Sequence, residues 1–288
     1  MIRRFELALP HGVTLACRAV GQGRPRVLLL HGFPQAAFVW DEVLLRLAPG
    51  VAAVAPNLRG YPGSTSPPDV AAYRARHLVA DLVATIEALG APIELLVAHD
   101  WGGALAWNLA AQRPDLMQRL LIINAPHPAA FLRELCHSPA QQAASAYMNF
   151  LCRPDAEALL SERGYARLWP FLGTPQWLTP ALREQYLDAW GQGLAGPLNY
   201  YRASPLRPPL GPADALHGLV LPDAAVTVSV PTTVLWGEQD AALLPGLLVG
   251  LERWVPALQL MRVPDVSHWI VHEQPARVTA QIQALLSQ

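Results

Sequence analysis

Lysine is missing from all 288 residues of this chain, so arginine carries the positive charge. The 21 arginines face 22 acids, the formal net charge is -1, and no basic run occurs. Nucleic acid and anionic membrane surfaces are therefore not expected partners. Cysteine is scarce, and Cys17, Cys136 and Cys152 stand too far apart for a disulfide framework or a metal-ligand spacing. No metal and no cofactor is expected. No apolar run reaches the length of a membrane span. The segment Met1-Ile2-Arg3-Arg4-Phe5-Glu6 has no extended apolar stretch behind its charges, so no signal peptide is expected. Charged residues are few, 15% against 52% hydrophobic, which excludes a disordered chain and suits a well-buried core. The expectation is a soluble cytoplasmic protein of one large or two ordinary domains.

What is present centres on Ile93 to Trp107. The apolar run Ile93 to Val97 ends at Ala98-His99-Asp100-Trp101-Gly102-Gly103, and a helix-forming segment, Ala104 to Gln112, follows. A buried strand turning sharply into a helix presents the side chain at its tip, and the first backbone N-H of the helix points at whatever that side chain attacks. This is the pattern of a nucleophile elbow, with small residues that let strand and helix approach. The tip is Asp100 rather than Ser or Cys.

Around that stretch, strands and helices alternate. Phe5 to Pro10 and Val13 to Val20 read as a hairpin. Val27 to Leu30, Val51 to Pro56 and Arg119 to Asn124 read as buried strands. Phe38 to Leu47 and Tyr73 to Leu89 read as helices, the second ended by Gly90. From about His127 to Val230 the alternation stops. Helices are expected at Phe131 to Leu151, Asp155 to Leu168, Pro180 to Trp190 and Gly196 to Ala203, with Pro205 to Pro222 irregular. It resumes with strands at Thr232 to Trp236 and Leu258 to Val263 and helices at Leu244 to Trp254 and Glu273 to Leu286. Mostly apolar strands between helices imply an α/β fold with a parallel sheet covered on both faces. The expected organisation is a core of 1–127 and 231–288, with 128–230 inserted after the sixth strand as a helical cap. Sites in such sheets lie beyond the carboxyl ends of the strands, so the insertion would sit over the site.

Four polar motifs follow strands: His31-Gly32-Phe33-Pro34, Asp100-Trp101, Asp240 and His268. Their order of nucleophile, acid and histidine is that of an α/β-hydrolase triad. Each has a plainer reading. Asp100 could cap a helix. Asp240 could be a solvated loop acid, with Glu238 as its rival. His268 competes with His272, which begins a helix instead of following the strand. Asn124, at another strand end, is neutral and so favours Asp240. His31, His99 and His127 read as structural, and His11, His77, His137 and His217 carry no functional signal. Trp169, Trp177 and Trp190 would pack the cap or line a pocket.

Over nearly its whole length the chain resembles the α/β hydrolases, and among them the epoxide hydrolases with an aspartate nucleophile. The resemblance rests on H-G-F-P at 31–34, R-G-Y-P-G-S-T at 59–65, H-D-W-G-G at 99–103, W-G-E-Q-D at 236–240 and S-H-W at 267–269. It implies the α/β-hydrolase fold, with an eight-stranded, mostly parallel sheet flanked by helices. Leu198-Asn199-Tyr200-Tyr201-Arg202 is similar to the family's L-N-W-Y-R, with Tyr200 in place of Trp, and maps the family's cap tyrosine onto Tyr201. Tyr200 would replace it if that helix were rotated. Ala146-Tyr147-Met148-Asn149-Phe150, before Pro154, resembles the segment with the second cap tyrosine and implies Tyr147.

The chemistry follows from the residue types. A carboxylate is a poor agent of amide or ester cleavage but a good nucleophile towards a strained sp³ carbon, giving an ester that must be hydrolysed. Asp100 is expected to open an epoxide while Tyr201 and Tyr147 donate to its oxygen. His268, oriented by Asp240, would activate the water that frees Asp100. The N-H groups of Phe33 and Trp101 would form the oxyanion hole, and the resemblance of residues 31–34 to the family's H-G-x-P turn implies a cis Pro34. The expected partners are a small apolar epoxide-type substrate and water, and a homodimer is allowed. The nearest alternative is a haloalkane or haloacid dehalogenase using the same triad. Phe33 brings no side-chain donor for halide, and the fluoroacetate dehalogenases follow their nucleophile with Arg where this chain has Trp101. A serine esterase lacks its serine at the elbow. A non-catalytic small-ligand-binding protein of the same fold is the reading from another class.

Overall fold

The computed structural model describes residues 1–47, 50–173 and 175–288. Strands β1 (Arg3–Ala8) and β2 (Thr14–Val20) form the expected antiparallel hairpin. They are followed by β3 (Val27–Leu30), β4 (Ala53–Pro56), β5 (Ile93–His99), β6 (Met117–Ile123), β7 (Thr232–Gly237) and β8 (Leu258–Val263). Among the described residues these eight make one sheet in the order β1-β2-β4-β3-β5-β6-β7-β8, parallel from β4 to β8.

Two faces explain why the central strands read as unbroken apolar runs. Leu28, Leu30, Leu96, Ala98, Leu120 and Ile122 belong to one buried cluster. Their neighbours Val27, Leu29, Leu95, Val97, Leu121 and Ile123 belong to the other. Alternate side chains point to opposite faces, so a sheet covered on both sides leaves no position for a polar residue. Between the strands run α1 (Asp41–Leu47), α2 (Ala75–Leu89) and α3 (Trp101–Gln112). Gly90 ends α2 at φ 98°, a left-handed conformation that a side chain would resist.

The segment between β6 and β7 is helical: α4 (Pro128–His137), α5 (Pro139–Ala144), α6 (Tyr147–Leu151), α7 (Ala156–Tyr165), α8 (Trp169–Leu172), α9 (Pro180–Gly191), α10 (Ala195–Ala203) and α11 (Asp223–Val226). Phe131 to Leu151 is thus three helices rather than one. Pro139 cannot donate a helical hydrogen bond, and Ser138 caps the new helix by accepting from the Gln141 N-H at 3.2 Å. Asp155 to Leu168 is likewise broken, with non-helical backbone at Glu162, Arg163 and Gly164. Leu244 to Trp254 is not a helix. It forms two short 3-10 turns, Pro245–Leu248 and Leu251–Arg253, separated at Gly250 by a φ of 70°. One proline and two glycines within these eleven residues outweigh its apolar spacing. After β8 the chain ends in α12 (Ile270–Glu273) and α13 (Pro275–Leu286), where Pro275 occupies the first turn. No helix among the described residues is long and apolar enough to cross a membrane.

Contacts of α9 and α10 help fasten the helical segment to the sheet's loops. The Trp190 indole donates to the Pro34 carbonyl at 2.7 Å, and the Tyr200 hydroxyl to the Arg59 carbonyl at 2.8 Å. A Cβ added at Gly196 would overlap the Gly60 backbone, so α10 reaches that loop only because both residues lack side chains. The chain leaves β3 towards β4 on one side and returns to β5 on the other. That reversal opens a crevice beyond the ends of β3 and β5, the place where open α/β sheets bind ligands.

Candidate active site

At the end of β5 the chain turns through Asp100 with φ 51° and ψ -123°. Positive φ is uncommon for a residue with a side chain, and strain of this kind costs roughly 1–3 kcal/mol. The surroundings hold it there. A Cβ on Gly32 would overlap the Asp100 carboxylate, one on Gly102 the carbonyl of His31, and one on Gly103 the Ala125 side chain. Small residues around the elbow are what allow β3, β5 and α3 to meet.

The crevice brings the expected residues together. The Phe33 N-H donates to Asp100 Oδ1 at 2.7 Å, from a loop whose Phe33-Pro34 peptide is cis. Asp100 Oδ2 lies 3.6 Å from His268 Nε2, and His268 Nδ1 lies 2.6 Å from Asp240 Oδ2. In the neutral ring, the Asp240 carboxylate keeps the proton on Nδ1, and the Nε2 lone pair then faces Asp100. Asp240 Oδ1 accepts from the N-H groups of Ala242 and Leu243, both at 2.9 Å.

Burial pushes the Asp100 carboxyl above the usual range, against the pull of His268 and of the Trp101 and Phe33 N-H groups. Burial would also raise Asp240, but His268, the Leu243 N-H and Asn124 outweigh it and hold that carboxyl low. For His268, burial favours the neutral ring, yet Asp240 and then Asp100 bring its pKa above the ordinary value.

The rivals lie elsewhere. His272 pairs with the Tyr186 hydroxyl at 2.9 Å and stacks on Trp177, and burial pushes its pKa down to about 3. Glu238 forms an ion pair with Arg262. His31 accepts from the Leu58 N-H at 3.1 Å, His99 meets the His268 carbonyl at 2.9 Å and His127 the Val226 carbonyl at 2.9 Å. These rings hold loops.

Two supporting residues were not identified from sequence as such. Asn124 donates to Asp240 Oδ2 at 2.8 Å and accepts the Gly237 N-H at 2.8 Å, so the neutral side chain at that strand end supports the acid. Gln141, on α5, donates to the Ala242 carbonyl at 2.7 Å and accepts the Leu244 N-H at 3.0 Å. The strand-end position of Asn124 was a signal; nothing local marks Gln141.

Tyr147 and Tyr201 converge from α6 and α10, with ring centroids 6.2 Å apart. Tyr201 also packs edge-on against Trp101 at 5.0 Å and Phe33 at 5.4 Å. Both tyrosines line a cavity of about 290 Å³ that includes Asp100. Burial first, and the Asp100 charge as well, push both phenols up, so they remain O-H donors through neutral pH. Tyr200 also borders this cavity, but its hydroxyl is committed to the Arg59 carbonyl. Trp169, Trp177 and Trp190 do not line it. Such a site can hold an apolar molecule between a carboxylate and two O-H donors, beside a histidine able to take a proton.

Comparison with known proteins agrees with this architecture. A family model described as alpha/beta hydrolase fold matches residues 25–275. The chain is 34% identical to the AB hydrolase superfamily protein YfhM of Bacillus subtilis (strain 168), covering 94% of each chain. It is 33% identical to Epoxide hydrolase 3 of Xenopus tropicalis, over 92% of this chain and 72% of that one. A crystal structure of Bacillus megaterium epoxide hydrolase in complex with an inhibitor superposes with a TM-score of 0.89 at 30% identity, covering 99% of this chain and 100% of that chain.

Proposed function

The chain belongs to the α/β-hydrolase family and, within it, to the epoxide hydrolases, and from that premise we propose that it converts epoxides to vicinal diols through an ester on Asp100. Asp100 Oδ1 is held by the Phe33 N-H, which leaves Oδ2 to attack an epoxide carbon. The C-O bond of the ring breaks and its electron pair stays on oxygen, which takes a proton from Tyr201 or Tyr147. Esterification removes the charge of Asp100, one of the groups that raised His268, so His268 becomes more readily neutral as its turn comes.

His268 Nε2 then takes a proton from water, and the hydroxide adds to the Asp100 carbonyl carbon. The negative charge passes to the carbonyl oxygen, facing the N-H groups of Phe33 and Trp101, a donor pair worth roughly 3 kcal/mol per member. Collapse expels the diol oxygen, which receives the proton from His268, and the Asp100 carboxyl proton restores the tyrosine. Epoxide and water are consumed and diol is released. Residues 1–127 and 231–288 act as the catalytic core, and 128–230 as a cap that supplies the tyrosines and sheds water from the site.

The observation that carries this reading is the Asp100 carboxylate, one oxygen on the Phe33 N-H and the other facing His268, beneath two protonated phenols. Assay of the purified protein on styrene oxide and on a bromoalkane tests it. Diol from the first without halide from the second is expected. Halide release without diol would overturn the epoxide reading.

The free state of Cys17, Cys136 and Cys152 supports a cytoplasmic location, where thiols stay reduced. Fractionation finding the protein outside the cytoplasm would refute that.

A further inference from the structure

Resting on the epoxide reading, we propose that the substrate class is terminal epoxides bearing one large apolar group, and that Phe171 excludes a second substituent on the other ring carbon. The cavity's lining joins Asp100 to Trp101, Ala104 and Leu105 on α3 and to Phe131, Leu206 and Leu219 of the helical segment. At about 290 Å³ it stands at the lower edge of small-molecule sites, which span roughly 300–1,000 Å³. It carries no charged side chain beyond Asp100. Asn108 donates to the Ala104 carbonyl at 2.8 Å, and Ser204 accepts from the Leu206 N-H at 3.2 Å. The arm is therefore suited to an aromatic or branched apolar group.

On the Phe33 side of Asp100, where the Phe33 N-H meets the carboxylate, stand four rings. Phe33 meets Phe171 edge-on at 6.2 Å, Phe171 meets Tyr147 at 5.5 Å, Tyr147 meets Tyr201 at 6.2 Å, and Tyr201 meets Phe33 at 5.4 Å. These four rings form a closed circuit of contacts. Only the two tyrosines line the cavity; Phe33 and Phe171 do not. Phe171 is also tied to the catalytic loop, because the Trp269 indole, next to His268, donates to its carbonyl at 3.2 Å. An epoxide with its oxygen on the tyrosines and one carbon at Asp100 directs trans substituents to opposite sides. One side is the arm, and the other is the Phe171 ring.

The test compares kcat/KM on phenyl glycidyl ether and on trans-stilbene oxide for the parent, Phe171→Ala and Phe171→Leu. Circular dichroism and a melting curve check that each variant is folded. The parent should favour the terminal epoxide by roughly 100-fold, the scale on which pocket shape discriminates. Phe171→Ala should narrow that ratio by about tenfold or more and Phe171→Leu by less, because a smaller side chain frees space on the Phe33 side. If Phe171→Ala does not fold, narrowing by Phe171→Leu alone supports the proposal, and an unchanged ratio in that variant overturns it. Equal turnover of the two epoxides by the parent would also overturn it while leaving epoxide hydrolysis intact. Diol from neither epoxide would count against the epoxide reading itself.

Discussion

The strand ends and the helical segment solve the problem of placing a side chain in different ways. Asp100, Asp240 and His268 sit where parallel strands stop, and short hydrogen bonds fix each: Phe33 N-H on Asp100, His268 on Asp240, and the Ala242 and Leu243 N-H groups on Asp240. Tyr147 and Tyr201 lie on two helices separated by some fifty residues of chain, and edge-on ring contacts with Phe33, Trp101 and Phe171 set their positions. Backbone geometry fixes the first set, and packing fixes the second. The proposed chemistry divides the same way: the core makes and breaks the ester, and the helical segment protonates the leaving oxygen.

That division makes distinct predictions. The largest effect falls on the core. Asp100→Ala should lower turnover of styrene oxide on the order of 10⁴-fold or more, as loss of a nucleophile does. Turnover at the parental rate would refute the division. His268→Gln should still form the ester but stall there, with steady-state turnover down roughly 10³- to 10⁴-fold. Intact-mass measurement during the reaction should show the protein carrying one substrate equivalent.

Changes in the helical segment should act on the other step. Tyr147→Phe and Tyr201→Phe are each expected to slow ring opening by roughly 10- to 100-fold, and the pair by more, while ester hydrolysis changes little. Pre-steady-state tryptophan fluorescence separates the two phases. Equal slowing of both phases would assign the tyrosines to general packing.

A smaller, purely electrostatic effect concerns His268. Asp240 and Asp100 both hold its pKa up, so removing either charge should move its titration midpoint down, more for Asp240→Asn than for Asp100→Asn. Imidazole NMR reads this directly. The sign also sets the pH dependence. His268 acts as base only when neutral, so the hydrolytic step should fail as pH drops through its pKa in the ester. That pKa lies below its value in the free enzyme. The smallest effect is expected at Tyr200→Phe, which loses one hydrogen bond to Arg59 and about 1 kcal/mol of stability, measured by denaturant unfolding.

The same contrast explains what could be read in advance. The sheet, the elbow and the placement of Asp100, Asp240 and His268 at one edge follow from local patterns, since a strand that stops at a polar residue announces both the strand and the residue's position. Val27–Leu30 and Leu258–Val263 match the expected spans to the residue. Where several weak preferences compete, the reading fails. Leu244 to Trp254 has helical apolar spacing, but Gly250 and Pro245 break it. Phe131 to Leu151 has the same spacing, but Ser138-Pro139 restarts the helix. Both Tyr200 and Tyr201 border the cavity, and what takes the Tyr200 hydroxyl out of the site is its bond to the Arg59 carbonyl, beside the close approach of Gly196 to Gly60, contacts between residues far apart in the chain. Phe171 carries no sequence signal at all; its position emerges only from two neighbouring rings, Phe33 and Tyr147, and the Trp269 indole.

A single turnover in oxygen-18 water, with enzyme in excess over styrene oxide, tests the ester on Asp100 most directly. Attack by Asp100 and hydrolysis at its carbonyl predict an unlabelled first diol and one oxygen-18 atom in the peptide that contains Asp100. A labelled first diol with unlabelled Asp100 would mean that water opens the ring itself, and would contradict the account.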